Sequence, residues 1–500
     1  MRAIAESNRY WKMTLAAFMV ASFLGMQTAA VGQTAALDKN SPPDHLEPGL
    51  QGQTMPEDLK GDMLDRPYSK GVRLIGHNDL WNRGSNLQMA WIGTCAYVSS
   101  AKPIPGSPPW GLNNTADGSK AGVAVVDVRD PRSPKAVRVL QDKGASNAVE
   151  TMHAVEVRGR KVLVAGAYAG GKQGASHDDA AWLDIYDASD CRNPKLMNEF
   201  KWPENVHMVT ISPNGQRVYG TSIDPFTGKG GLLILDISDM GHPRFIGKFG
   251  ATRTDGTTFE FAPHEVSISP DERRIYAGVI ESTGGDLNQE IKTKGPSVER
   301  LGPNAGGIYI LDNTDIVEGR PDPRLRLIGT ALHAGWHSPV QANIQGVPHL
   351  VSAGELEACP GSWPKIVNIA DETKPFIEGE FKLQMNQKEN CPPRTKMELA
   401  TNGIIGSPGT AASHFNDVDS STDTRLGLFP FMWAGLRIVD LRDPTRPQEV
   451  AYYKPGDACM SHVHYLPRAE QIWFACTYSG FYVIQLDPEL LHKVRLGNVR

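Results

Sequence analysis

Six histidines recur at one kind of place in this chain, at the head of an alternating apolar stretch. They are His153 ("TMHAVEV"), His207 ("NVHMVTI"), His264 ("PHEVSI"), His337 ("GWHSPV"), His414 ("SHFNDVD") and His462 ("SHVHYL"). His464 follows His462 by two positions, and a seventh such stretch, "NLQMAWI", carries Gln88 instead. The whole chain holds 14 His among 500 residues, so composition alone does not produce this series. Imidazoles gathered in one place cannot all be protonated, because like charges depress each other's pKa. A transition metal relieves that repulsion, and neutral imidazole suits copper, iron, zinc and nickel. His462 and His464 lie two apart, so on a strand both face one side, and one of them would serve as ligand or as support. A single ion needs three or four of these seven candidates.

The elements that must position them are strands. A second phrase recurs: "GVAVVDVRDPRSP" (122–134), "LLILDISDMGHP" (232–243), "IYILDNTD" (308–315) and "LRIVDLRDPTRP" (436–447). Each is an apolar strand ending in Asp, followed by a turn with Asp and Pro, then a more polar strand. Pro cannot donate to a ladder and belongs between strands. In front of each phrase stands a hairpin that begins with the histidine, such as "VHMVTISPNGQRVYG", which turns at Asn214-Gly215. The repeating unit is therefore four antiparallel strands, and such units repeated around an axis form a β-propeller. The 50 Gly and 36 Pro suit many short strands joined by turns.

The expected fold class is all-β, a seven-bladed β-propeller closed by an N-terminal outer strand. The last unit, "HVHYLPRAEQIWFACTYSGFYVIQL", supplies three strands, and "KGVRLIGHNDL" (70–80) matches the outer-strand pattern of "RLRLIGTAL". That strand would close the ring and leave no open edge. In such a ring the first strand of each blade lines the central channel, so the six histidines would converge near the axis at one face.

The "VAVVD", "LLILD" and "LRIVD" phrases with their Asp-Pro turns resemble the LVIVD-repeat family of exported bacterial proteins. The His-plus-"SP(D/N)" hairpins are also similar to those in the propellers of nitrous-oxide reductase and the selenium-binding-protein family. That second resemblance implies histidines from several blades holding a metal on the axis, with copper favoured over iron or zinc. A bland alternative takes each histidine as structural, hydrogen-bonded inside its own blade. Its partners would be a Ser or Thr and the strand-ending Asp127, Asp187, Asp236, Asp312 and Asp440.

The termini carry further expectations. Arg2, Arg9 and Lys12 precede an apolar stretch from Met13 to Met26 and then small residues, the pattern of a secretory signal over residues 1–32. A polar, Pro-rich leader (33–67), the propeller (68–490) and a C-terminal tail (491–500) follow. Export places the mature protein in the periplasm or outside the cell, with no membrane span once the signal is removed. Six cysteines, Cys95 and Cys191 among them, are then free to pair in any of fifteen connectivities; Cys459 with Cys476 across a hairpin, and Cys359 with Cys391 between two loops, are two candidate pairs.

Net charge is −5, which argues against a nucleic-acid partner. No G-x-S-x-G, phosphate-binding loop or dinucleotide fingerprint supports hydrolase-elbow, P-loop or Rossmann chemistry. Glu355 ("AGELEACPG") and Asp417 ("HFNDVD") are the acid–base candidates, with Glu357 and Asp419 beside them. Glu265 follows His264 and points to the other side of its strand. Trp81, Trp336 and Trp433 are candidate pocket walls, and Asn82-Arg83-Gly84-Ser85 a candidate anion-binding turn. The reading that results is a metal-dependent oxidoreductase, with copper or iron, acting on a small molecule in the axial channel. Its alternatives are a non-catalytic scaffold for a protein partner, and a metal-dependent hydrolase or lyase.

Overall fold

The structure is a computed structural model and describes residues 67–100, 118–167, 181–224, 229–280, 287–294, 298–301, 305–333, 337–354, 363–383 and 412–496. The expected signal and nearly all of the leader, Glu355, Glu357, Trp336, Cys359 and Cys391 lie outside the described residues.

The repeated phrases fold into seven small antiparallel sheets, each with its strands in chain order from axis to rim. Blade one runs Asn86–Ile92, Cys95–Ser100, Val123–Asp127, Lys135–Leu140, and blade two Met152–Val157, Arg160–Gly166, Trp182–Asp187, Lys195–Lys201. Blade three is Val209–Ile211, Arg217–Asp224, Lys229–Asp236, Arg244–Phe249, and blade four Pro263–Ile268, Arg274–Val279, Gly307–Asp312, Leu325–Leu332. Blade five is Pro339–Ile344, Val347–Ser352, Lys365–Asn368, Phe376–Glu380, and blade six Asp417–Val418, Leu426–Pro430, Leu436–Asp440, Gln448–Lys454. Blade seven supplies His464–Leu466, Gln471–Cys476 and Gly480–Leu486.

Its fourth strand comes from the N-terminal side. Val72–Asn78 pairs antiparallel with Gly480–Leu486, as the matching "RLIG" phrases led us to expect. One step earlier, Tyr68–Lys70 adds a fifth strand to blade six, so the same segment straps two blades. Gly71 between them has φ +69°, and a Cβ there would meet the Ala451 Cβ at 3.0 Å. The residues expected as a tail begin inside a helix, Pro488–Leu496. Its Leu491 and Val494 pack into the apolar layer between blades six and seven.

The strand-ending acids explain the turns. Asp127, Asp187, Asp236, Asp312 and Asp440 each accept the backbone N–H two residues on, at 2.9–3.1 Å. Asn368 does the same in blade five. These side chains mimic a backbone turn and set the hairpin locally. The glycine in the outer strand then receives the next blade's turn. A Cβ on Gly329 would lie 2.1 Å from the Glu372 carbonyl, and one on Gly76 2.1 Å from that of Pro131. Blade four carries extra short strands, Ala251–Thr252 and Thr258–Phe259, at its rim. Disulfides join Cys459 to Cys476, as expected across their hairpin, and Cys95 of blade one to Cys191 of blade two. Among the described residues no helix is long and apolar enough to cross a membrane.

Candidate metal centre

Adjacent blades are tied together where the histidines sit. The Thr151 hydroxyl donates to the His207 carbonyl, and the Thr221 hydroxyl to the His264 carbonyl at 2.8 Å. Blades two and three thus fix the backbone of the next blade's histidine. His207, His264, His337 and His414, from blades three to six, form an arc of touching rings. Their centroids are 4.3, 3.8 and 4.5 Å apart in sequence. All four are buried.

The arc closes on Glu150, from the loop that enters blade two and 1% exposed. One carboxylate oxygen lies 3.1 Å from His414 Nε2, and the other 3.3 Å from His207 Nε2 and 3.9 Å from His264 Nε2. A Glu150 oxygen and one ring nitrogen each of His264 and His337 fall within 4.8 Å of one another. Burial works to raise the Glu150 pKa, yet hydrogen bonds with His207 and His414 hold it well below the usual carboxylate range. His264 and His337 are pushed far down, by burial first and then by neighbouring imidazoles.

The donor set fits a metal ion. His414 Nδ1 is 3.1 Å from the Met460 carbonyl, which can only accept, so Nδ1 carries the proton. That leaves Nε2, 3.1 Å from Glu150, as the nitrogen that faces the site. A ring N–H given to a backbone carbonyl is the usual way a ligating histidine is oriented. His207 Nε2 and His264 Nε2 are 2.7 Å apart, a gap with room for one proton at most. Electron-rich atoms converge here, and a cation with imidazole and carboxylate ligands satisfies them.

His462 and His153 form a second group. His462 Nδ1 is 3.0 Å from Asp417 Oδ2, and its Nε2 is 3.1 Å from Glu265 Oε1. Burial alone would lower its pKa, but Asp417 and Glu265 outweigh that and push it up to about 10. Asp417 itself is raised, because burial outweighs its bonds to His462 and to the Val463 N–H. His153 Nδ1 accepts the Ile211 N–H, and burial with repulsion from His462 lowers it to about 4. Phe415 sits between the two groups, 4.4 Å from both the His414 and His462 ring centres. A cavity of about 340 Å³ adjoins the second group and is lined by His153, Glu265, Asp417 and His462.

The other candidates are placed elsewhere. His464 stacks on Trp91 at 4.3 Å and meets Trp473 edge-on, away from the arc. Asp419 closes a turn by accepting the Arg425 and Leu426 N–H groups. Arg83 spends its guanidinium on Asn86 Oδ1 and on the Val98, Lys120 and Gly122 carbonyls, leaving no anion site. Trp81 lies under Lys120, and Trp433 packs in the blade five–six core. The strand-ending acids serve their own turns, so the structural reading loses the acid partners it named for the histidines. Glu150 escaped the sequence reading. The one signal was a carboxylate three residues before His153, in "VETMH".

The fold and this arc define a seven-bladed propeller with a histidine–carboxylate cluster on its axis. Residues 227–250 match the family model of the LVIVD repeat, so the chain carries that repeat. No curated protein matches it by sequence. Among solved structures it is similar to Kuenenia stuttgartiensis hydrazine synthase, with TM-score 0.47 and 12% identity over 81% of this chain and 97% of that one. It is similar also to Chaetomium thermophilum Sqt1, with TM-score 0.49 and 10% identity over 82% and 97%. Neither likeness bears on function.

Proposed function

We propose that this protein is a metal-dependent oxidoreductase of a compartment outside the cytoplasm, with copper or iron held by His207, His264, His337, His414 and Glu150. The observation that carries the reading is the arc itself. Four blades and one loop bring four imidazoles and a carboxylate to one buried point, with His414 already oriented by Met460. A redox-active ion in such a set supplies electron or oxygen chemistry. The Glu150 carboxylate offsets the ion's charge, and burial of all five side chains excludes water. His462, held charged between Asp417 and Glu265, stands between the arc and the cavity and can orient a polar group there or hold a proton for it. His153 serves the cavity side and His464 positions Trp91, so neither is assigned as a ligand. The disulfides fit an oxidising compartment, and the signal-like residues 1–32 fit export to the periplasm.

Expression in medium supplemented with copper, iron or zinc, followed by elemental analysis of purified protein, tests this. Stoichiometric copper or iron, lost in Glu150→Gln, supports it. A protein free of metal under every supplement leaves a scaffold, and zinc alone points to hydrolysis.

A further inference from the structure

The axial cavity has a chemistry of its own. Its apolar wall includes Trp91, Met89 and Met152, and its polar patch is Glu265, His153, Asp417 and His462. His464 stacks on Trp91, which holds that indole in place as a wall. An indole face favours an aromatic guest. At about 340 Å³ the cavity is at the small end of ligand sites, room for one substituted ring.

The polar patch is incompletely used. Glu265 is 7% exposed, its Oε1 meets His462, and its Oε2 has no hydrogen-bond partner among the described residues. A buried carboxylate oxygen left so is unfavourable unless something donates to it. His153 offers the complement. Its Nδ1 accepts from Ile211, so in the neutral ring Nε2 carries the proton and can donate. One acceptor and one donor beside an apolar wall match a group that both gives and takes a hydrogen bond. His462 offsets the charge of one of the two carboxyls and is bonded to both, which weakens the pull on a cationic guest. Those carboxyls also repel an anionic one.

We propose that this cavity binds a small neutral phenol or aryl alcohol, its ring against Trp91 and its hydroxyl between Glu265 Oε2 and His153. Its meaning as a substrate rests on the oxidoreductase reading, but the binding itself needs no metal.

The test uses chelator-treated full-length protein and calorimetric titration with para-cresol, toluene and benzylamine at neutral pH. Para-cresol should bind about ten-fold or more tighter than toluene, the worth of one or two such hydrogen bonds. Glu265→Gln should erase that preference. Ala154→Trp, which fills the cavity and leaves its polar residues in place, should abolish binding of all three probes. Equal binding of cresol and toluene, no binding of either, or tighter binding of benzylamine each overturns the proposal. Loss of the Glu265→Gln variant to misfolding leaves the cresol–toluene ratio and Ala154→Trp to decide. Metal content of the untreated protein is measured separately, so a metal-free protein that still prefers cresol refutes the oxidoreductase reading and not this one.

Discussion

His264 of blade four and His462 of blade seven hold equivalent places in their repeats, and the protein keeps one neutral and the other charged. His264 stands among other imidazoles, 3.9 Å from a carboxylate that it shares with His207 and His414. His462 has two carboxyls to itself, at 3.0 and 3.1 Å. Burial disfavours the charged ring in both places, so the difference is made by the ratio of carboxyls to imidazoles. A repeat can therefore deliver the same side chain to every blade and leave its chemistry to residues that do not repeat. Glu150, Glu265 and Asp417 each come from a different blade or its entry loop.

Both groups depend on a closed ring, so opening it should erase the contrast altogether. Deleting residues 67–78 removes the outer strand of blade seven and the extra strand of blade six. It should take away a large fraction of a total stability on the order of 5–15 kcal/mol, with aggregation through the bared edge. Thermal melts and size-exclusion profiles check this. A deletion variant that melts near wild type would mean that the strap does not close the ring.

Next in size is the charged member. His462→Ala leaves Asp417 and Glu265 buried against each other without a cation. Breaking such a pair costs about 3–5 kcal/mol, read by chemical denaturation at neutral pH. Adding Asp417→Asn and Glu265→Gln should recover most of the loss, since no charge is then stranded. A single variant within about 0.5 kcal/mol of wild type would mean that His462 is not held as an imidazolium.

The fold was legible because its signals repeat. The strand-ending Asp turns and His-led hairpins recur blade after blade, and Gly76 and Gly329 do the same job in "RLIG", which revealed the strap. The histidine convergence followed from the same repetition. Glu150 was not legible, because one acid in one loop carries no period. Nor was the split between His462 and His464. Strand alternation puts residues two apart on one face, but the strand begins at His464 and His462 lies outside it. Cys95 with Cys191 was invisible for a similar reason: a link across neighbouring blades depends on how two loops meet, not on either hairpin.

The neutral arc should respond in the opposite manner to the His462 site. His264→Ala and His337→Ala strand no charge and remove one of several crowded rings. The metal-free protein should change by less than about 2 kcal/mol, while bound metal falls to background. Elemental analysis and melts on the same preparations separate the two readouts. Unchanged metal content with a large loss of stability would make the arc structural.

The most direct reading of the contrast is pH dependence of the metal-free protein. His462 has a folded pKa pushed up to about 10, against roughly 6.5 in the unfolded chain. The folded state binds the extra proton, so this stabilisation is complete below about pH 6.5 and is lost as pH rises toward 10. The slope cannot exceed about 1.4 kcal/mol per pH unit. His264 and His337 are shifted down, so the sign reverses. Below about pH 6.5 the unfolded chain takes up protons that the folded arc refuses, and stability falls on acidification. Denaturation midpoints from pH 5 to 10 should therefore peak between the two limbs. His462→Gln should flatten the alkaline limb alone, and His264→Ala with His337→Ala should soften the acid limb alone. A profile in which either substitution moves both limbs would mean that the two groups titrate as one, and the division of the axis into a neutral and a charged set would fall.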